Sequence, residues 1–177
     1  MGSKPWHYFT PYQTDINAAL QALKEQEFRA GRYGFDYMLS RLQEDKIIDR
    51  ANNSIEQQQP TADELIDLHG SLQAAIDAVV EESDIEGTLS ILDMKSIAAQ
   101  PTKCAVCLLS KQELQGIFKT TEPTRQTIES ALLKEGIEDW ESWERFWDSI
   151  GRIEGRYILV FENGQPKEIF WAGYSFD

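Results

Sequence analysis

The chain has 177 residues, 30 of them acidic against 17 basic, which gives a net charge of −13 and a pI near 4.6. With 41% apolar and 11% aromatic residues it can bury enough surface to offset its ordering entropy, so wholesale disorder is excluded. Nucleic-acid binding is disfavoured because phosphate contacts need clustered Lys and Arg, and a membrane helix is excluded because no apolar run approaches roughly 20 residues.

A chain of this length supports one core of ordinary size, and halving it would leave each part poorly buried, so a single domain over 1–177 is expected. Residues 1–12 carry Trp6, Tyr8, Phe9 and Tyr12 with Pro5 and Pro11. That segment is too aromatic for a free tail and should pack on the domain. It has no apolar h-region, and Trp6 stands where a myristoylation signal needs Ser or Thr, so a cytoplasmic protein is expected.

Thr14 is placed to cap a helix with Ile16, Ala19, Leu20, Leu23 and Phe28 inward and Lys24, Glu25 and Gln26 towards the other face, stopping at Gly31. From Arg32 to Pro60 the pattern weakens: Tyr33 to Leu42 suits a short helix or a packed loop, and Ile47-Ile48 a brief strand. The tract 49–60, polar and turn-rich between Asn52 and Gln59, reads as a flexible loop, with a lid as the sharper alternative. Thr61-Ala62-Asp63-Glu64 is a capping box, and the stripe Leu65, Leu68, Leu72, Ala75, Ile76 and Val79 predicts one helix to about Ser83. Gly87 to Met94 alternates well enough to predict a strand.

Cys104 to Leu109 predicts a buried strand, and Ser110-Lys111-Gln112-Glu113 a second capping box opening a short helix with Leu114, Ile117 and Phe118 inward. Thr124 starts another helix through Leu132, with Gly136 and Ile137 suited to its stop. Asp139 to Ile150 predicts a last helix. The chain then closes on Tyr157 to Phe161 and Ile169 to Ala172 around Asn163-Gly164, a type I′ hairpin signal. Pro166 just past the turn calls for an edge, a bulge or a wider loop. Both arms carry consecutive apolar residues, so both faces must be covered. The expected fold is α+β: a mainly antiparallel sheet, ending in the C-terminal β-hairpin, packed against several helices.

Few motifs carry chemistry. Cys104 and Cys107 have CxxC spacing, but a redox pair needs a helix N-terminus to lower a thiol pKa and these lie in an expected strand, so two buried free thiols are the better reading. A zinc site would need two further ligands, and the two histidines, His7 and His69, match no finger spacing. His69 reads as a histidine at the edge of its helix's apolar stripe. Nucleophile-elbow, zincin, P-loop, dinucleotide and EF-hand patterns are missing, so no residue is assigned to catalysis and no cofactor or metal is called for. Asp93, Arg152, Glu154 and Arg156 would form a polar cluster if the Gly87 strand paired beside the hairpin, and surface pairing is its plain explanation.

The most unusual composition is Trp140 to Asp148. Trp140, Trp143 and Trp147 fall on one helical face, with Glu141, Glu144 and Asp148 as an acidic strip alongside. Either the tryptophans close over the hairpin, or they form an exposed aromatic anchor, rimmed by acid, for a basic protein partner.

Three segments, Glu27-Phe28-Arg29-Ala30-Gly31-Arg32-Tyr33, Gly87-Thr88-Leu89-Ser90-Ile91-Leu92-Asp93 and Phe170-Trp171-Ala172-Gly173-Tyr174-Ser175-Phe176-Asp177, resemble a family of small cytosolic bacterial proteins of cyanobacteria and actinobacteria that has no assigned activity. The resemblance implies a bacterial origin and carries no mechanism. The residues together point to a non-enzymatic interaction domain with an acidic surface, in the manner of an immunity protein or regulatory factor. The alternative is a small enzyme or small-molecule-binding domain with a pocket between the 32–60 loop and the sheet.

Overall fold

The computed structural model describes residues 5–32, 60–83, 87–133 and 139–175. The expectations for 33–59, for the Gly136 stop and for a pocket beside the 32–60 loop lie outside the described residues. Asn163 and Gly164 adopt φ of 52° and 72°, and that turn closes β4 (Glu154–Glu162) onto β5 (Gln165–Tyr174). The register slips between Val160 and Phe161, where Pro166 pairs with Phe161, so the bulge accommodates the missing N–H.

The N-terminal segment does more than pack on the domain: it is β1 (Pro5–Pro11), antiparallel to β5 at the edge of the sheet. Tyr12 donates its N–H to the Lys167 carbonyl at 2.9 Å, so by the alternation of the ladder even-numbered residues of β1 face β5 and odd-numbered ones face outward. Pro5 and Pro11 therefore occupy outward positions, where a missing N–H costs no ladder bond and blunts the edge.

The sheet is mixed and not mainly antiparallel, with strand order β1-β5-β4-β3-β2. β3 (Ala105–Leu108) lies parallel to β4, and β2 (Ser96–Ala98) parallel to β3. The chain crosses from β3 to β4 through the α4 (Lys111–Phe118), α5 (Arg125–Ile128) and α6 (Trp140–Asp148) helices, the long connection that parallel pairing requires. α5 runs on into a wider π-type turn over Glu129–Leu133.

Both faces of the hairpin are covered. Ile158, Val160, Phe170 and Ala172 pack under α4, α5, the π-type turn and α6, together with Leu114, Phe118, Leu132 and Phe146. Tyr157, Ile169 and Trp171 point the other way, against Leu20 and Leu23 of α1 (Ile16–Arg29) and against Ile91. That is the placement expected of consecutive apolar residues in a strand. Asp15, not Thr14, caps α1, its Oδ1 accepting from the Ala18 N–H at 3.0 Å. Both predicted capping boxes form, at Thr61 and at Ser110.

Two predicted elements take another form. The helix from Thr61 is broken at Gly70 (φ 82°) into α2 (Ala62–His69) and α3 (Leu72–Glu82), with Ser71 capping the second. His69 and Leu68 are consequently exposed at the end of α2, so His69 does not border the core. The Gly87 to Met94 strand is instead an irregular loop with a 3-10 turn over Ile91–Asp93, entered through Leu89 at φ 55°. Cys107 is buried and Cys104 half-exposed, both as free thiols. No helix among the described residues is long and apolar enough to cross a membrane.

Candidate functional site

α6 begins where Asp139 Oδ1 accepts the Ser142 N–H at 3.1 Å. The Ser142 hydroxyl lies 2.6 Å from both Asp139 Oδ2 and the Ile117 carbonyl, which anchors the helix on α4. At the other end the Ser149 carbonyl accepts from Arg156 Nη2 at 3.0 Å. With both ends fixed, the faces of α6 are set: Ser142 and Phe146 turn inward, and the three tryptophans grade from core to solvent.

Trp147 is 5% exposed and packs edge-on to Phe146 at 5.2 Å and against Tyr174 at 5.4 Å. Trp143 is half-buried, 6.4 Å from Trp147. Trp140 is 58% exposed and lies stacked on Trp143, with centroids 4.7 Å apart and planes 16° from parallel. The two readings of the tryptophan face thus divide along one helix. Trp147 belongs to the core, Trp143 is half-buried, and Trp140 is exposed.

Glu141, Glu144 and Asp148 are all exposed on the flank next to Trp140. Glu141 accepts from Arg145 Nη2 at 2.6 Å, an i,i+4 surface pair. Among the described residues no cation pairs with Glu144. On the far side of Arg145 a groove of about 420 Å³ separates α6 from α4, lined by Ser110, Gln112, Glu113, Gly116 and Ser149. Burial pushes the Glu113 carboxyl up, but hydrogen bonds from Ser110 and the Arg156 charge outweigh that and hold it below the usual carboxylate range.

A second polar cluster lies on the opposite face of the sheet, beneath α1. Asp93 is 1% exposed, and its Oδ1 accepts from both the Thr88 N–H and the Thr88 hydroxyl at 2.8 Å. Thr88 Oγ1 lies 2.8 Å from Ser90 Oγ, which caps the 3-10 turn by accepting from the Leu92 N–H. Asp93 Oδ2 and Ser175 Oγ are both buried without a partner at hydrogen-bonding geometry. Burial raises the Asp93 pKa, while Ser175, Thr88 and the charge of Lys24 pull the other way.

Lys24, predicted on the solvent face of α1, is 3% exposed. Desolvation lowers its pKa against the pull of Asp77 and Asp93. One turn on, Glu27 is buried and pairs with Arg32 Nη2 at 2.6 Å. The Tyr8 phenol, its pKa raised by burial and then by the Glu27 charge, adjoins the same carboxylate. This site brings Lys24, Thr88, Asp93 and Ser175 together from three distant parts of the chain. It does not include Arg156, which lies on the other face with Glu113, so the predicted grouping of Asp93 with Arg156 does not form. Thr88, Ser90 and Asp93 escaped recognition because their alternation imitates a strand, and Lys24 because a helical wheel assigns it to water.

Among the described residues no group of three or more His, Cys, Asp or Glu side chains is arranged to hold a metal ion. No family model, no curated protein and no solved structure matches the chain.

Proposed function

We propose that this protein is a binding module that takes a basic protein partner on the solvent face of α6. The observation that carries the reading is Trp140: a large aromatic ring held out of the core on a second tryptophan, at the border of an acidic strip. An indole so exposed contributes little to folding, and the net charge of −13 favours encounter with a positively charged surface. Immunity-type or regulatory binding suits such a surface, and the reading requires no catalytic residue.

The test is capture of partners from lysate of the source organism by wild type and by Trp140→Ala, at low and at high salt. The expected result is a stoichiometric basic protein that wild type retains at low salt and loses at high salt. Trp140→Ala should retain it about 30-fold less well, with stability changed by less than about 0.5 kcal/mol. A partner retained equally by the variant would remove α6 from the interface.

A second reading, a small-molecule-binding or enzymatic domain, draws on the groove between α4 and α6, whose volume of about 420 Å³ suits a small ligand. A ligand-dependent rise in melting temperature that Gly116→Leu abolishes would favour it.

A further inference from the structure

We infer that the group Trp140 receives is an arginine side chain of the partner, laid flat on the outer face of the indole with its fork turned to Glu144. The inference rests on the reading of α6 as a binding face and names what that face selects.

The template is within the molecule. Arg125 lies with Cζ 4.2 Å from the centre of the Phe9 ring, and two carboxylates hold it there: Glu129 Oε1 at 2.7 Å from Nε and Glu168 Oε1 at 2.7 Å from Nη1. Glu129 stands one helical turn beyond Arg125, and Glu168 reaches in from β5. The arrangement is an aromatic face for the flat cation and acceptors at its rim for the N–H groups, which matches the planar, weakly hydrated guanidinium better than an ammonium.

The Trp140 end of α6 offers the same parts. One face of the indole is taken by Trp143, and the ring as a whole is 58% exposed. Glu144 lies one turn along on the same flank, exposed and unpaired among the described residues, and Asp148 a further turn on. The one arginine of α6, Arg145, is directed to Glu141. Arg145 being so engaged, the Trp140 and Glu144 pair is matched to a guanidinium that a partner supplies. Indole is also the strongest cation–π acceptor among the aromatic side chains, so this platform exceeds the phenyl ring at Phe9.

The test is a titration with two synthetic probes, an octapeptide alternating glycine and arginine and its glycine–lysine counterpart, followed by the indole N–H resonances at low ionic strength. The arginine peptide should bind about tenfold more tightly than the lysine peptide, because only the guanidinium stacks and forks at once. Trp140→Ala should bring the two affinities together, and Glu144→Gln should weaken the arginine peptide several-fold. The melting curve of each variant confirms that it is folded. Equal affinities that both fall in Trp140→Ala would overturn the arginine assignment and leave the basic-partner reading standing. Binding of both peptides unchanged by Trp140→Ala would overturn both.

Discussion

Gly173→Ala is expected to destabilise the protein by about 3 kcal/mol, a fall in melting temperature of roughly 10 °C for a chain of this size. Gly173 pairs with Trp6 across β1 and β5, and the Trp6 indole folds over the glycine. A Cβ there would run into Trp6 Cζ2 and would lie 2.6 Å from both Trp6 Cη2 and the Glu154 carbonyl oxygen. The indole would have to leave a site where it is 5% exposed, or β4 and β5 would have to part. Backbone conformation is not the reason, and Gly70 supplies the contrast. Its φ of 82° is left-handed with nothing within 4 Å of an added Cβ, so Gly70→Ala should cost only about 1 kcal/mol. If Trp6 is the obstacle, Gly173→Ala made in a Trp6→Leu background should cost roughly half as much, the Glu154 carbonyl accounting for the rest. Equal costs in both backgrounds, measured by denaturant unfolding, would contradict this packing.

The second large effect is at Asp93, where the two obvious substitutions should act in opposite directions at pH 7. Asp93→Ala leaves the buried Thr88 N–H and hydroxyl without their acceptor and should cost about 3 kcal/mol. Asp93→Asn keeps an oxygen for Thr88 and turns an N–H₂ towards the unpartnered Ser175 Oγ, while removing a charge from a site 1% exposed. Because burial raises the Asp93 pKa in the folded state, its contribution is fully present below the unfolded value of about 3.9 and is lost as pH rises through the folded one. Wild type and Asp93→Asn should therefore be about equally stable near pH 4. The variant should gain on wild type as pH rises to 7, because only wild type must then either bury a charge or hold a proton that its unfolded chain has released. Lys24, whose charge favours the ionised carboxyl, limits that gain, and Lys24→Met should enlarge it. Parallel stability curves of wild type and Asp93→Asn across that range would show that the fold accommodates the charged carboxyl without cost.

What was legible in the sequence was local. Asn163-Gly164, Thr61 with Glu64 and Ser110 with Glu113 each specify geometry through neighbours within four residues, and each forms as read. The parallel pairing of β3 with β4 spans more than forty residues and leaves no short-range mark, so a mainly antiparallel sheet was the natural error. Gly70 was overridden by an apolar stripe that keeps its period from Leu65 to Val79, although Gly70 followed by Ser71 is itself a stop-and-start signal. Thr88, Ser90 and Asp93 bond to one another within six residues, and short polar side chains that do so displace a strand ladder. At the candidate site the spacing placed the tryptophans on one face correctly. Their gradation from Trp147 to Trp140 depends on where α4, the π-type turn and Tyr174 end, which is tertiary information.

The claim that α6 presents an aromatic ring in a negative field is tested most directly by quenching the tryptophan emission with caesium and with iodide at low ionic strength. Of the five tryptophans, Trp6, Trp147 and Trp171 are buried and Trp143 is half-covered, so Trp140 should supply most of the quenchable signal. Glu141, Glu144 and Asp148 should concentrate the cation there and repel the anion. The account predicts quenching by caesium several-fold stronger than by iodide, with the difference removed in Trp140→Phe. Equal quenching by the two ions, or an accessible fraction as large in Trp140→Phe as in wild type, would contradict it.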